Sequence, residues 1–212
     1  MKGSQKNKNY KAKWNPKLAY AVGLITTDGN LSPDGRHLTL VSKDIPQLKT
    51  FKKCLKLKNK IGLRKGGYMK IKNYHHVQFG NVILYKWLLN IGLMPNKTKI
   101  IGALKIPNQY FFDFLRGHLD GDGDIRRYQD PVYPNRERLY IRFCSASLKH
   151  IQWLQKKVKF LLKIKGFITQ GHIFYLRFAK RDSLILLPHL YPEKNVPCLR
   201  RKYKIVKNLL NN

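Results

Sequence analysis

Acidic residues are scarce in this chain. Eleven Asp and Glu stand against 43 Lys and Arg in 212 residues, a formal net charge of +32. A compact protein repels itself at that charge, so a polyanionic partner is implied. The basic residues run through segments with folded patterning, which ranks nucleic acid ahead of an anionic membrane surface or an acidic protein. Cysteine is also scarce. Cys54, Cys144 and Cys198 are isolated, with no CxxC pair and no His/Cys cluster. Neither a disulfide framework nor a zinc site is implied, and a reducing compartment fits. His75 and His76 are adjacent in a strand-like segment, so they point to opposite faces and chelate one metal poorly. No apolar run reaches the roughly 18 residues a transmembrane helix needs. Residues 1–13 contain no Arg and no apolar segment. They read as a flexible basic arm rather than a secretory signal or a mitochondrial presequence.

Hydrophobic residues are plentiful, at 43%, enough for one sizeable domain or two small ones. They fall into a plan that runs twice. Leu18, Ala21, Val22 and Ile25 have helical spacing, and the helix ends at Asp28-Gly29. Strand-like runs follow at 30–32 and 37–41, a helix at 45–57, strands at 61–65, 69–71 and 77–79, and a helix at 82–91. The second pass starts with a helix from 109 to Asp122-Gly123. Strands follow at 124–128 and 139–145, then a helix to 163 with Ser147 as its N-cap. Strands at 167–169 and 173–178 come next, then a helix at 181–190 and a basic helix at 199–210. Each pass reads α-β-β-α-β-β-α. The expected organisation is an arm at 1–13, a first repeat at 14–93, a linker at 94–107 marked by Pro95 and Pro107, and a second repeat at 108–212. The fold class is α+β, a duplicated unit with approximate twofold symmetry.

Four of the eleven acids lie between Asp113 and Asp124, and Asp120, Asp122 and Asp124 crowd one helix end. A helix C-terminus carries partial negative charge, which disfavours carboxylates by roughly 0.3–1 kcal/mol each. Such a cluster points to a compensating cation. Clustered carboxylate oxygens suit Mg²⁺, with Mn²⁺ as a substitute. Both Asp-Gly helices carry small residues four apart: Ala19, Gly23 and Thr27 in one, Gly117 and Gly121 in the other. If these stripes face each other, the two backbones approach closely and set Asp28 beside Asp122.

The segment Ala21-Val22-Gly23-Leu24-Ile25-Thr26-Thr27-Asp28-Gly29 resembles the LAGLIDADG motif. Leu115-Arg116-Gly117-His118-Leu119-Asp120-Gly121-Asp122-Gly123 resembles a second copy. The chain is thus similar, from about residue 15 to the end, to single-chain LAGLIDADG homing endonucleases. The resemblance implies two pseudo-symmetric repeats whose antiparallel sheets form a saddle-like DNA-binding surface, with the motif helices packed at the centre. It implies that Asp28 and Asp122 bind metal, that Thr27 and Gly121 offer backbone carbonyls to it, and that Lys97 and Lys202 lie near the scissile phosphates, with Arg201 competing for the last role. Thr26 departs from the motif where an acid often sits, whereas Asp120 keeps it.

The implied function is site-specific hydrolysis of one phosphodiester bond on each DNA strand by a monomer with a divalent metal, with no membrane and no small-molecule substrate. Strand alternation supplies candidate DNA contacts. They are Asn30, Ser32, Arg64, Lys70, Lys72 and Gln78 in the first repeat, and Arg126, Tyr128, Arg138, Tyr140, Arg142 and Arg177 in the second. Ten of the twelve Arg lie at or after Arg116, which favours sharper guanine reading in the second repeat. Neutralising about 10 phosphates would give a log affinity against log salt slope near about −9. The rivals are an intron RNA maturase or a non-cleaving DNA-binding protein of the same fold, and a structural basic protein such as a ribosomal component. The acid cluster and the duplication argue against the last. The expected location is intracellular, with bacterial cytoplasm and organelle both open. The absence of splicing blocks suits an intron-encoded or free-standing gene.

Overall fold

A computed structural model describes residues 12–64, 74–193 and 195–210. The first repeat comprises α1 (Pro16–Thr27), β1 (Gly29–Leu31), β2 (His37–Ser42), α2 (Ile45–Leu55), β3 (Gly62–Arg64), β4 (Tyr74–Gly80) and α3 (Val82–Asn90). The second comprises α4 (Phe111–Gly121), β5 (Asp124–Gln129), β6 (Glu137–Ser145), α5 (Leu148–Leu162), β7 (Phe167–Gln170), β8 (Phe174–Phe178) and α6 (Lys180–Leu190), followed by α7 (Arg200–Val206). Each repeat builds one antiparallel four-stranded sheet. The order β1-β2-β4-β3 of the first recurs as β5-β6-β8-β7 in the second. The expected strand at 69–71 lies outside the described residues.

Local chemistry explains the element ends. Asn15 precedes α1, its side chain accepts a hydrogen bond from the Leu18 amide at 3.0 Å, and Pro16 opens the helix where a missing N–H costs nothing. Asn81 caps α3 in the same way through the Leu84 amide at 2.9 Å. Ser147 does occupy the N-cap position of α5, but its hydroxyl donates to the Ile101 carbonyl instead, at 2.5 Å, tying the inter-repeat segment to the second repeat.

The sheets bury one face each. In β2, Leu38, Leu40 and Ser42 point inward while His37, Thr39 and Val41 point out. In β6, Leu139, Ile141 and Phe143 point inward. Helices cover these inner faces, as an antiparallel sheet with one wet side requires. The amphipathic stripe expected for α1 is replaced by burial all round: every residue from Leu18 to Thr26 is buried. A helix enclosed on all sides has no use for a polar face.

Candidate nuclease site at the crossing of the motif helices

Glycines dictate how α1 and α4 meet. A Cβ on Gly23 would lie 2.6 Å from the His118 amide nitrogen and would collide with the Phe114 carbonyl. A Cβ on Gly117 would lie 3.1 Å from the Gly23 Cα and would collide with the Tyr20 carbonyl. The backbones therefore touch directly, as the small-residue stripes predicted. One turn later, a Cβ on Gly121 would collide with Thr27 and lie 3.0 Å from Asp28 Oδ2. Both helices end here, with Asp28 and Asp122 as their C-caps.

Neither the Asp28 nor the Asp122 carboxylate accepts a hydrogen bond from a described residue. Burial, and then the charge of Asp122, push Asp28 up to about 7. Asp122 is raised too, because protein atoms displace water around its carboxylate, although the residue as a whole remains exposed. Two lysines answer this negative pair. The buried Lys97 donates to the carbonyl of Gly29, directly after Asp28. The buried Lys202 donates to the carbonyl of Gly123, directly after Asp122, at 2.6 Å. The same contact thus occurs in both repeats. Lys202 also reaches the carbonyls of Leu119 at 2.6 Å, Asp120 at 2.9 Å and Gly121 at 3.4 Å. Burial pulls Lys97 down to about 8 against the opposing pull of Asp122 and Asp28, and it lowers Lys202 as well. Arg201, the competitor of Lys202, turns away. It is exposed and pairs with Asp44 through contacts of 2.9 and 3.2 Å.

The acid cluster expected to require a cation resolves differently. Asp120 is buried and accepts from the Tyr20 hydroxyl at 2.8 Å and the Leu199 amide at 2.6 Å. Asp124 pairs with Arg142, with a contact of 2.6 Å, and lies 3.6 Å from Arg126. Asp124 and Asp120 Oδ2 thus have protein donors, whereas the buried Asp120 Oδ1 has none among the described residues. The electrostatic case for a cation rests chiefly on Asp122 together with Asp28. Among the described residues, no three His, Cys, Asp or Glu side chains gather as a metal site. The two carboxylates, which have no donor among the described residues, offer hard oxygen ligands of the kind Mg²⁺ takes.

The outward sheet faces hold the candidate contact residues in rows. Asn30 pairs with Thr39, which pairs with Gln78. In the second sheet, Asp124, Arg142, Arg177 and Phe167 form one row, Arg126 and Tyr140 a second, Tyr128 and Arg138 a third. Asn30, Gln78, Arg126, Tyr128 and Arg138 are exposed, while Ser32, Tyr140, Arg142 and Arg177 are half-buried. Three of the arginines form ion pairs within the protein: Arg142 and, at 3.6 Å, Arg126 with Asp124, and Arg138 with the buried Asp130. Arg64 lies on β3 opposite Tyr74. Lys70 and Lys72 lie outside the described residues.

Sequence reasoning missed several neighbours. Tyr20 and Gln47, both buried in the first repeat, bind Asp120 of the second; the Gln47 amide donates to the Asp120 carbonyl at 2.9 Å. No local motif marks either one. The Cys144 thiol donates to the Asp122 carbonyl, and burial pushes it up to about 12, so it stays protonated.

Two repeats of this topology, joined through paired glycine-containing helices that end in Asp-Gly, make up the LAGLIDADG fold. Solved structures carry it. The homing endonuclease I-WcaI bound to its DNA recognition sequence matches with a TM-score of 0.68 at 12% identity, over 94% of this chain and 89% of that one. The N-terminal LAGLIDADG domain of DUF199/WhiA matches with a TM-score of 0.55 at 15% identity, over 96% and 90%. Full-length DUF199/WhiA from Thermatoga maritima matches with 0.57 at 17%, and this chain covers 94% of its own length but spans only 63% of that protein. No protein-family model matches the chain, and no curated protein matches it.

Proposed function

We propose that this chain is a metal-dependent, site-specific double-strand DNA endonuclease of the single-chain LAGLIDADG homing type, acting as a monomer. The observation that carries the reading is the pair Asp28 and Asp122: two carboxylates with no hydrogen-bond donor among the described residues, set at two helix ends that meet and flanked by Lys97 and Lys202 on equivalent carbonyls. Asp120 and Asp124, by contrast, each accept hydrogen bonds from protein donors. The fold likeness to endonucleases solved with DNA supports the same reading.

Asp28 and Asp122, with the Thr27 and Gly121 carbonyls, would hold Mg²⁺. When bound there, the cation supplies Lewis acidity and makes water available as a nucleophile. Lys97 and Lys202 stay fixed beside the carboxylates, where their charge stabilises negative charge developing on a phosphate. No nucleophilic side chain is required, and the protonated Cys144 supplies none. The outward rows of both sheets, from Asn30 and Gln78 to Arg126, Tyr128 and Tyr140, face the major groove. Arg142 and Arg138 act there while held by Asp124 and Asp130, so their geometry is set before DNA arrives.

The test is selection of cleaved sequences from a randomised duplex library in Mg²⁺, with wild type and Asp122→Asn in parallel. A discrete target cut only by wild type supports the reading. Tight binding of a structured RNA or a DNA site, with no cut by wild type, replaces it with the maturase or non-cleaving reading.

A further inference from the structure

The two candidate active sites are not built alike. In the first repeat, the sixth motif residue is Thr26, whose hydroxyl turns back to its own helix and donates to the Val22 carbonyl at 2.8 Å. Among the described residues the hydroxyl makes no other hydrogen bond. That lysine opens a single turn of 3-10 helix, Lys97–Lys99, after Asn96 in the left-handed region.

In the second repeat, the sixth motif residue is Asp120. Its Oδ2 accepts the Leu199 amide at 2.6 Å. Leu199 is the N-cap of α7, which has no side-chain cap of its own, and its carbonyl in turn accepts the Lys202 amide at 2.9 Å. Asp120 therefore ties the start of α7 to the end of α4, and Lys202 sits one turn along. The tie is itself held from the other repeat. Tyr20 on α1 donates to the same Oδ2, and Gln47 on α2, oriented by the Ser42 hydroxyl at 2.6 Å, donates to the Asp120 carbonyl.

We propose that Asp120, braced by Tyr20 and Gln47, is a positioning residue for Lys202 and so governs hydrolysis of one DNA strand only. The inference rests on the nuclease reading above. Its physical basis is that a lysine ammonium is a compact charge on a flexible stem, so reaching the carbonyls of Leu119, Asp120, Gly121 and Gly123 depends on where the backbone of α7 starts. Freeing Leu199 releases that backbone in the second site and leaves Lys97 where it is.

The experiment uses the selected target with each strand end-labelled separately, so that the cutting rate of each strand is read under single-turnover conditions. Asp120→Ala should slow one strand by on the order of 10-fold to 100-fold, as small misplacements of catalytic groups do, with the other strand slowed far less. Nicked product should accumulate. Asp120→Asn offers an oxygen to the same Leu199 amide and should restore most of the strand ratio. Thr26→Ala should leave the ratio at the wild-type value. If Asp120→Ala does not fold, Tyr20→Phe removes a single hydroxyl and should skew the ratio in the same direction. A global loss of stability would slow both strands together. Equal slowing of both strands by Asp120→Ala, or by Tyr20→Phe in its place, overturns the inference alone. A wild-type protein that cuts neither strand overturns the nuclease reading and the inference with it.

Discussion

Gly23 and Gly117 meet backbone to backbone where α1 crosses α4: a Cβ on Gly117 would lie 3.1 Å from the Gly23 Cα. This contact sets the distance between the helix ends and therefore between Asp28 and Asp122. Gly117→Ala would also drive its methyl into the Tyr20 carbonyl. Backbone cannot give way as a side-chain end can, so the cost should lie at or above the upper end of the usual overpacking range, about 3 kcal/mol. Gly102 has no heavy atom within 4 Å of its own added Cβ, and Gly102→Ala should stay within about 1 kcal/mol of wild type. Urea unfolding of the two variants measures the contrast.

The Asp28 carboxyl sits at about 7, above its ordinary value, because burial and the Asp122 charge both oppose ionisation. A raised carboxyl destabilises the fold as pH rises from about 4 towards about 7, since the unfolded chain releases the proton first. Two outcomes follow. Without metal, Asp28→Asn should be more stable than wild type at pH 8, by about 1 kcal/mol after allowance for partial exposure. With metal, the sign reverses. Mg²⁺ at about ten times its Kd should stabilise wild type by about 1.4 kcal/mol, more at pH 8 than at pH 6, and Asp28→Asn should lose this gain. Thermal unfolding with Mg²⁺ or EDTA at both pH values reads each outcome.

Much of the architecture was legible from period and punctuation. The helix ending at Asp28-Gly29, the helix at 45–57 and the alternation in Leu139, Ile141 and Phe143 reappear in α1, α2 and β6. Local pattern could not show that α1 is enclosed on every side, because that depends on α4, which starts 84 residues after α1 ends. The aspartate pair was legible because two motifs repeat. The separate fates of Asp120 and Asp124 were not, because their partners, Tyr20 and Arg142, are chosen by packing and strand register. The same holds for Arg138, whose outward direction followed from alternation but whose pairing with Asp130 required the β5–β6 loop.

His118 and His150 stack with ring centroids 5.3 Å apart in the interior. His150 Nδ1 bonds the Gly102 carbonyl at 2.8 Å, while His118 Nδ1 and His150 Nε2 have no partner among the described residues. Burial lowers both, His150 to about 4. A histidine lowered on folding contributes stability that is complete above its unfolded value near 6.5 and is lost as pH falls towards about 4, because the unfolded chain takes up the proton first. For His150 alone the loss at pH 5 is about 2 kcal/mol. His150→Gln should flatten the acid limb of stability between pH 6.5 and 4.5. An acid limb as steep as wild type's in this variant would show that other groups govern acid unfolding.

Lys202 and Arg201 are neighbours in sequence with opposite fates, and substituting each should separate them. The Lys202 amine has three protons and places them among four carbonyls at the end of α4, in the interior. Lys202→Gln removes the charge and leaves buried carbonyls without a donor, at a cost of about 1–3 kcal/mol. It should also abolish cutting of the strand that depends on the second site. Arg201 is exposed and pairs with Asp44 at the surface. Such a pair contributes no more than about 1 kcal/mol, and salt screens it further. Arg201→Gln should therefore unfold within about 1 kcal/mol of wild type and cut both strands. If Arg201→Gln loses one strand while Lys202→Gln keeps both, the basic residue of the second site is Arg201, and the burial of Lys202 is a helix cap alone.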